Sequence, residues 1–224
     1  MQSYKKEFAK LLVRAEVIQF GDFTLKSGRK SPYFFNSSKF SNGMLIKELG
    51  SYYASAIQEH VPNCNLIYGP AYKGIPICIT SAINLSSRLN QNVGYFFNRK
   101  EKKKHGDQGK IVGQSPQKSD LIVMVDDVIS DGLTKIESVE LVRKMFKVEF
   151  TGVIVALDRM ETNFQAKDAI NEFQQKTGVP VWSIITIREI CDYLKNRKID
   201  GSIVLDDSTC MKIEAYLAKH SNRS

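Results

Sequence analysis

LIVMVDDVISDGLTK, residues Leu121 to Lys135, contains the clearest structural pattern in this chain. It opens with five apolar residues, a run typical of a strand buried on both faces of a parallel sheet. Two carboxylates and a polar turn follow, and apolar residues then recur at helical spacing, at Ile136, Val139, Val142 and Phe146. The stretch therefore predicts a strand, an acidic loop and a helix. In open α/β sheets, ligands bind at that position, outside the carboxyl end of a strand.

The acidic loop offers two kinds of contact to a ligand. Small residues before a helix bring backbone N–H groups and the helix dipole toward a phosphate. Asp126 and Asp127 offer acceptors for hydroxyl groups, so the combination suits a phosphorylated sugar. An ordinary strand-to-helix turn, with Asp131 capping the helix, explains the pattern equally well.

VMVDDVISDGLT resembles the motif with which type I phosphoribosyltransferases bind phosphoribosyl diphosphate, abbreviated PRPP. The resemblance implies that Asp126 and Asp127 hold the 2′ and 3′ hydroxyls of the ribose. It also implies that the 5′-phosphate binds the loop that follows, made of Val128, Ile129, Ser130, Asp131, Gly132, Leu133 and Thr134. The chain differs from the family pattern where Asp131 replaces a small alanine and Leu133 replaces a threonine. The hydroxyl of Thr134 is a candidate substitute, and the charge of Asp131 is expected to weaken PRPP binding.

The composition is that of an ordinary soluble globular protein, with 224 residues, 42% hydrophobic and 25% charged. No apolar run approaches the roughly 18 residues that a membrane span needs, and MQSYKKEFAK at the start does not resemble a signal peptide. The protein is therefore expected in the cytoplasm. The cysteines lack the spacing of a zinc site or a disulfide framework, and they are predicted to be reduced and mostly buried: Cys64, Cys78, Cys191 and Cys210.

The net charge of +8, from 32 lysines and arginines against 24 aspartates and glutamates, is concentrated between Arg99 and Lys110. A nucleic-acid-binding protein needs such a basic face. A local positive field also attracts a small polyphosphate substrate. Since no DNA-binding motif accompanies the charge, it indicates a small anionic substrate, with neither nucleic acid nor a membrane as partner.

A second loop with small residues, GPAYKGIPI, follows the predicted strand over residues 65–68. Glycines at this place allow backbone amides to approach a diphosphate, and Lys73 adds a positive charge. The loop is similar to the diphosphate loop of the same family, which implies that Tyr72 and Lys73 bind PRPP. The helices on either side of this strand and loop are predicted at about 42–58 and 75–88.

A segment near the N-terminus indicates a β-hairpin, because two β-like runs flank a Ser-Gly turn between residues 20 and 36. An amphipathic helix is predicted before it, over residues 4–17. FTLKSGRKSPYFFN closely resembles the hood segment of the orotate-using members of the family. The resemblance implies that Lys26 contacts the diphosphate side of the site, and that Phe34, Phe35 and Ser130 bind orotate. Taken without this context, the two phenylalanines indicate hydrophobic packing and Lys26 indicates a solvated charge.

RKEKKKHGDQGKIVG, after a predicted strand at residues 93–97, resembles the flexible catalytic loop of the family. The matching residues, implied to bind PRPP, are Arg99, Lys100, Lys103 and His105. In the family this loop reaches across a dimer interface into the partner's site, so the resemblance implies a homodimer with the 99–110 loop in that role. Lys103 and His105 are then expected to stabilise the departing diphosphate. The alternative is a solvated surface loop.

Arg159 follows a further predicted strand, at residues 150–157. The resemblance implies that Arg159 binds the carboxylate of orotate, and the alternative is a surface ion pair with Asp158. Helices are predicted beyond this point at 166–177, 188–195 and 209–219, with a strand at 179–187. Residues 222–224 are expected to fray.

Together, these segments predict an α/β fold: a mainly parallel sheet flanked by helices, in one domain with a small N-terminal hood at about residues 20–36. The implied reaction transfers the ribosyl 5-phosphate group of PRPP to N1 of orotate, a step of pyrimidine biosynthesis, and releases diphosphate. Mg²⁺ is expected to bind mainly through PRPP, with no direct ligand from the protein. The resemblance makes Lys103, His105, Asp126 and Asp127 the catalytic residues. Two alternatives stay open, namely a phosphoribosyltransferase for a purine base and a non-catalytic PRPP-binding regulator.

Overall fold

The computed structural model describes residues 1–25, 27–90, 92–100, 110–129, 132–163 and 165–223. Its strands are β1 (Ile18–Thr24), β2 (Lys30–Phe35), β3 (Leu66–Tyr68), β4 (Gly94–Asn98), β5 (Ile111–Gly113), β6 (Ile122–Asp126), β7 (Phe150–Asp158), β8 (Val181–Thr186), β9 (Lys198–Ile199) and β10 (Ser202–Ile203). Its α-helices are α1 (Ser3–Arg14), α2 (Gly43–His60), α3 (Gly74–Leu89), α4 (Leu133–Phe146), α5 (Ala169–Thr177), α6 (Ile187–Leu194) and α7 (Asp207–His220).

Six strands form one sheet in the order β5-β4-β3-β6-β7-β8. All neighbouring pairs are parallel except β4 and β5, which are antiparallel. The predicted mainly parallel sheet is therefore confirmed, with the strand of the opening stretch, β6, at its centre. The short edge strand β5 was not predicted, because a strand of three half-exposed or exposed residues leaves no hydrophobic pattern to recognise.

The two faces of the sheet carry two hydrophobic clusters. Val123 and Val125 of β6 point into the larger cluster, which α1, α2, α3, α6 and α7 cover. Ile122 and Met124 point into the smaller cluster, which α4 and α5 cover. Successive strand residues point to opposite faces, so a central strand covered on both sides must be apolar throughout. This requirement explains the unbroken apolar run that opens the sequence stretch.

The hood forms the predicted antiparallel hairpin from β1 and β2, with Ile18 opposite Phe35. The side chain of Arg29, next to its turn, reaches the segment after β7. Its Nη1 donates to the carbonyl oxygen of Thr162 at 2.8 Å, and its Nη2 donates to that of Asn163 at 3.1 Å. These bonds anchor the hairpin at the carboxyl edge of the sheet.

The C-terminal tail does not fray as expected as far as the structure describes it, to Arg223. The guanidinium of Arg223 forms ion pairs with Asp158, at the end of β7, and with Asp168, which caps α5. The side-chain amide of Asn222 also donates to the carbonyl oxygen of Ala166 at 2.7 Å. The prediction from the sequence was wrong because it considered only local polarity, whereas the partners lie more than fifty residues away.

All four cysteines are buried and free, as predicted for reduced thiols. Among the described residues, none of the helices combines the length and the apolar character that crossing a membrane requires.

Candidate active site

Two loops meet at the carboxyl edge of the sheet because the strands that precede them are neighbours. β3 and β6 pair in parallel, with Tyr68 beside Met124. The loop after β3 carries Lys73 and the loop after β6 carries Asp127, and the Nζ of Lys73 lies 2.7 Å from Oδ2 of Asp127. The two motifs that the sequence places 54 residues apart are therefore in direct contact.

The acidic pair is buried, and each carboxylate has its own cation. Oδ2 of Asp127 accepts hydrogen bonds from Lys73 and, at 2.6 Å, from the hydroxyl of Ser37, just after the hood. Oδ2 of Asp126 lies 2.8 Å from Nζ of Lys135, in the first turn of α4. The carbonyl oxygen of Asp126 accepts a hydrogen bond of 2.7 Å from the buried hydroxyl of Tyr53. Four segments of the chain thus hold the pair in place.

The two aspartates differ in their pKa. Burial raises the pKa of Asp126, and the neighbouring Lys135 only partly opposes this rise. At Asp127, burial also acts to raise the pKa, but hydrogen bonds from Lys73 and Ser37 outweigh it and hold the pKa below its ordinary value. Asp127 is consequently a fixed anion, while the charge of Asp126 depends more on its surroundings.

The glycines of the loop after β3 allow a close approach of backbone segments. A Cβ at Gly69 would lie 2.2 Å from the carbonyl oxygen of Gly74, and one at Gly74 would lie 3.0 Å from that of Val125. The backbone N–H of Ala71 donates to Oδ1 of Asn98 at 3.1 Å, which ties this loop to the end of β4. Only residues without side chains permit this packing, so the glycines bring the loop against the acidic pair.

Positive charge lines the open side of these loops. The ammonium of Lys100 lies 5.1 Å from the ring centroid of Tyr72, whose side chain is exposed. A cavity of about 440 Å³ adjoins them, lined by residues that include Arg99, Lys100, Lys110 and Thr134. The predicted PRPP residues Tyr72, Lys73, Arg99 and Lys100 are therefore together, on the side where an anion would be attracted.

The loop after β6 is described only in part. Val128 is half-buried and Ile129 is buried, Gly132 adopts a left-handed conformation at the start of α4, and Leu133 and Thr134 are exposed on its first turn. Gly132 occupies the N-cap position of α4, the position considered for Asp131. Ser130 and Asp131 themselves lie outside the described residues, as do Lys26, Lys103 and His105.

The side chains of Phe34 and Phe35 point to opposite sides of β2, as successive strand residues must. The ring of Phe34 stacks on that of Phe23 with centroids 5.6 Å apart, whereas Phe35 packs against the larger core cluster. The two aromatic side chains cannot line one pocket together. A shared role in binding a planar ligand would therefore have to use their backbone groups.

Arg159 is largely buried at the end of β7, and its partner is Glu161 rather than Asp158. Its Nη2 lies 2.8 Å from Oε1 of Glu161, and its guanidinium carbon lies 5.0 Å from the ring centroid of Tyr33 in the hood. The alternative pairing with Asp158 is wrong, because Asp158 pairs with Arg223 while Arg159 pairs with Glu161.

The sequence did not identify four residues that the structure places in contact with the predicted site, namely Ser37, Tyr53, Lys135 and Glu161. Ser37 and Tyr53 lie in helices and Glu161 lies in the segment after β7, all remote from the motif in sequence, and no local signal marks them. Lys135 is different, because it lies within the opening stretch. A lysine in the first turn of a helix opposes the helix dipole, and that conflict is the signal that could have identified it.

The sheet order, the acidic pair after the central strand and the glycine-rich loop after its neighbour define a type I phosphoribosyltransferase. An orotate phosphoribosyltransferase of Clostridium beijerinckii is 37% identical over 221 residues, 98% of this chain and 99% of the relative, and one of Agathobacter rectalis is 40% identical over 223 residues, with the same shares covered. The chain belongs to the orotate phosphoribosyltransferase family.

The solved structures agree with this assignment. The 1.9 Å crystal structure of orotate phosphoribosyltransferase from Francisella tularensis matches the fold with a TM-score of 0.82 at 30% identity, and the match covers 96% of this chain and 100% of that one. No protein-family model matches the chain.

Proposed function

We propose that this protein transfers the ribosyl 5-phosphate group of PRPP to N1 of orotate, giving orotidine 5′-monophosphate and diphosphate. Membership of the orotate phosphoribosyltransferase family supports the reaction. The observation that carries the proposal at the level of the site is the contact between Lys73 and Asp127. It joins the loop proposed for the diphosphate to the loop proposed for the ribose at one edge of the sheet.

For PRPP, the proposed contacts follow the chemistry of the groups present. Asp126 and Asp127 accept hydrogen bonds from the ribose hydroxyls, since ionised carboxylates are strong acceptors. The backbone amides of the loop after β3 bind the diphosphate together with the side chains of Tyr72, Lys73, Arg99 and Lys100. Lys26, Lys103 and His105, which lie outside the described residues, complete the proposed set. The loop of residues 128–134 binds the 5′-phosphate at the start of α4, where the helix dipole favours an anion.

For orotate, we propose that Arg159 binds the carboxylate and that Ser130 and the backbone of Phe34 and Phe35 contact the ring. Glu161 engages the Nε and Nη2 atoms of Arg159, at 3.0 and 2.8 Å. Among the described residues, none is hydrogen-bonded to Nη1, so this edge of the guanidinium can donate to a second carboxylate. Glu161 therefore orients the guanidinium of Arg159 and leaves Nη1 available to donate to orotate.

The reaction needs positioning and charge stabilisation more than proton transfer. Breaking the bond from C1 to diphosphate gives the ribosyl centre cationic character, which the nearby Asp126 and Asp127 stabilise. The departing diphosphate gains negative charge, which Lys73, Lys103 and His105 offset. Orotate brings a delocalised, ionisable N1, so the chain has to align N1 with C1 and exclude water rather than supply a strong base.

We propose that Mg²⁺ enters with PRPP. Among the described residues, no group of three or more histidine, cysteine and carboxylate side chains could hold a metal ion. Diphosphate supplies the hard oxygen ligands that Mg²⁺ prefers. When bound, the ion neutralises charge on the leaving group.

We further propose that the whole chain forms one domain, with residues 20–36 as its hood, and acts in the cytoplasm. The proposed assembly is a homodimer in which the 99–110 loop reaches the partner's site. The positive charge of that loop supports such a role, because a loop that closes over a charged substrate needs cations.

The direct test follows the absorbance of orotate with PRPP and Mg²⁺ for the intact protein, for Lys103→Ala and for Lys118→Ala. Lys118 is an exposed lysine outside the proposed site and serves as the matched control. We expect Mg²⁺-dependent loss of orotate that falls at least about tenfold in Lys103→Ala and is unchanged in the control. Consumption of hypoxanthine or adenine instead would overturn the orotate assignment, and PRPP binding without consumption of any base would indicate a regulator.

A further inference from the structure

Lys135 is a buried lysine at a position where a lysine is unfavourable. It is the third residue of α4, and only 13% of its side chain is exposed. A cation in the first turn opposes the positive end of the helix dipole, and burying an ammonium removes it from water. By comparison, 57% of the side chain of Lys73 is exposed. Helix stability therefore does not account for Lys135, and its contacts have to explain its position.

The contact that explains it is the one to Asp126, whose side chain is 11% exposed. Oδ2 of Asp126 lies 2.8 Å from Nζ of Lys135, and Oδ1 accepts the backbone N–H of Asp127 at 2.9 Å. The carboxylate is thus fixed at both oxygens. Since Lys73 pairs with Asp127, Lys135 is the cation that the described structure provides for Asp126.

The other groups that face Asp126 do not offset its charge. Asp127 is an anion beside it, and Tyr53 of α2 and Tyr68 of β3 are phenols that burial keeps neutral, because it raises the pKa of both well above the ordinary value. Without Lys135, Asp126 would be a buried carboxyl next to another carboxylate. Both conditions favour its protonated form, in which one oxygen carries a proton and the carboxyl group is a weaker acceptor.

We propose that Lys135 is a positioning residue of the PRPP site, which keeps Asp126 ionised and oriented so that it accepts a hydrogen bond from a ribose hydroxyl. This inference rests on the proposed function, because it assigns Asp126 to the ribose. It adds to the proposed site a second lysine, which lies on α4. It also implies that the affinity for PRPP becomes dependent on pH when Lys135 is replaced by an uncharged residue.

The experiment measures PRPP binding by titration calorimetry with Mg²⁺, from about pH 5 to about pH 9, for the intact protein and three variants. Lys135→Met removes the charge at similar length, Lys135→Arg retains a cation, and Lys144→Met makes the same change at an exposed lysine of the same helix. We expect Lys135→Met to bind PRPP at least about tenfold more weakly near neutral pH, with binding recovering as the pH rises. Lys135→Arg should restore most of the affinity, and Lys144→Met should match the intact protein.

A double-variant comparison covers the case in which Lys135→Met does not fold. Asp126→Asn removes the charge that Lys135 compensates, so the Asp126→Asn, Lys135→Met protein contains no unpaired buried charge and should fold. We expect it to bind PRPP as Asp126→Asn alone does. A further tenfold loss in the double variant would show that Lys135 acts independently of Asp126, and would overturn the proposal.

Binding and turnover separate this inference from the proposed function. An intact protein that binds PRPP but does not consume orotate overturns the function, while the binding data still test Lys135. Binding by Lys135→Met that equals the intact protein, or that is weakened equally at every pH, overturns the role of Lys135. An intact protein that does not bind PRPP overturns both.

Discussion

Arg159 and Glu161 lie side by side at the carboxyl end of β7, with Nη2 of Arg159 2.8 Å from Oε1 of Glu161. The same oxygen accepts a 2.6 Å hydrogen bond from the hydroxyl of Tyr33, whose ring also lies beneath the guanidinium. The strand of the hood is therefore connected to the arginine that we propose for the orotate carboxylate. This connection fixes the position of Arg159, and with it that of the proposed base site, relative to the sheet.

Replacing Arg159 by lysine should weaken orotate use while leaving PRPP binding intact. Lysine keeps the charge beside Glu161 but lacks the planar fork that binds a carboxylate with two parallel bonds. We expect kcat/KM for orotate to fall about tenfold to a hundredfold, and the Kd for PRPP to stay within about twofold. Steady-state kinetics with each substrate varied in turn would measure both. Arg14→Lys, at an exposed arginine paired with Asp200, is the control. Equal losses for both substrates would contradict the proposed role.

Removing the hydroxyl of Tyr33 should destabilise the attachment of the hood. Tyr33 is fully buried, and its hydroxyl donates to a carboxylate. Because Arg159 still satisfies that carboxylate, we expect Tyr33→Phe to lower the free energy of unfolding by about 1–2 kcal/mol. Urea denaturation would measure it. Tyr52→Phe, whose hydroxyl makes a longer bond of 3.2 Å to Glu48, should have a smaller effect. A larger effect at Tyr52 would show that the Tyr33 bond is not important to the hood.

Replacing Arg223 by methionine should destabilise the segment after β7. The change leaves Asp158 and Asp168 without the cation that pairs with both. Since Arg223 is partly exposed, water partly compensates for the lost ion pairs, and we expect the free energy of unfolding to decrease by about 1–3 kcal/mol. Chemical denaturation would measure this, with Arg197→Met, at an exposed arginine of the loop after α6, as the control. An unchanged stability in Arg223→Met would mean that the tail is held by other contacts.

The fluorescence of Trp182 should report the protonation of His60. The chain has one tryptophan, and its ring stacks on His60 with centroids 4.7 Å apart and planes 5° apart. Burial lowers the pKa of His60, with Lys5 acting in the same direction and Glu59 opposing. We expect quenching by the imidazolium as the pH falls, with a midpoint below about 6.5. His60→Gln should abolish this step, and a step that persists would assign it to another group.

The lowered pKa of His60 also determines the direction in which stability changes with pH. Because the pKa of His60 is lower in the folded state than in the unfolded state, its contribution to stability is present above the unfolded value of about 6.5. It is lost as the pH falls through the folded value. As the pH is lowered below about 6.5, the midpoint temperature of thermal unfolding (Tm) should therefore fall more steeply for the intact protein than for His60→Gln.

The order of strands, loops and helices could be predicted from the sequence because each signal is local. The apolar run before Asp126 and the helical spacing after Gly132 predicted β6 and α4 within a residue or two. The hairpin around the Ser-Gly turn formed as predicted for the same reason. The sequence also predicted that the loops after β3 and β6 lie at the same edge of the sheet, since parallel strands have their carboxyl ends at one edge.

The pairing of the charged side chains could not be predicted in this way. Ser37 meets Asp127 across 90 residues, and Arg223 meets Asp158 across 65. Whether two such groups touch depends on how hood, helix and sheet pack together, which no local pattern encodes. The same applies to Phe34 and Phe35, whose opposite orientations became evident only from the register of β2.

The class of fold, the family resemblance and the two loops of the candidate site follow from the sequence, because short-range hydrophobic periodicity and loop composition specify them. Which cation pairs with which carboxylate depends on the packing of the folded chain. Asp127 receives Lys73 and Asp126 receives Lys135, and burial then separates their pKa values. The physical reason is that the energy of a charge depends on its depth and its neighbours, and both exist only after the chain has packed.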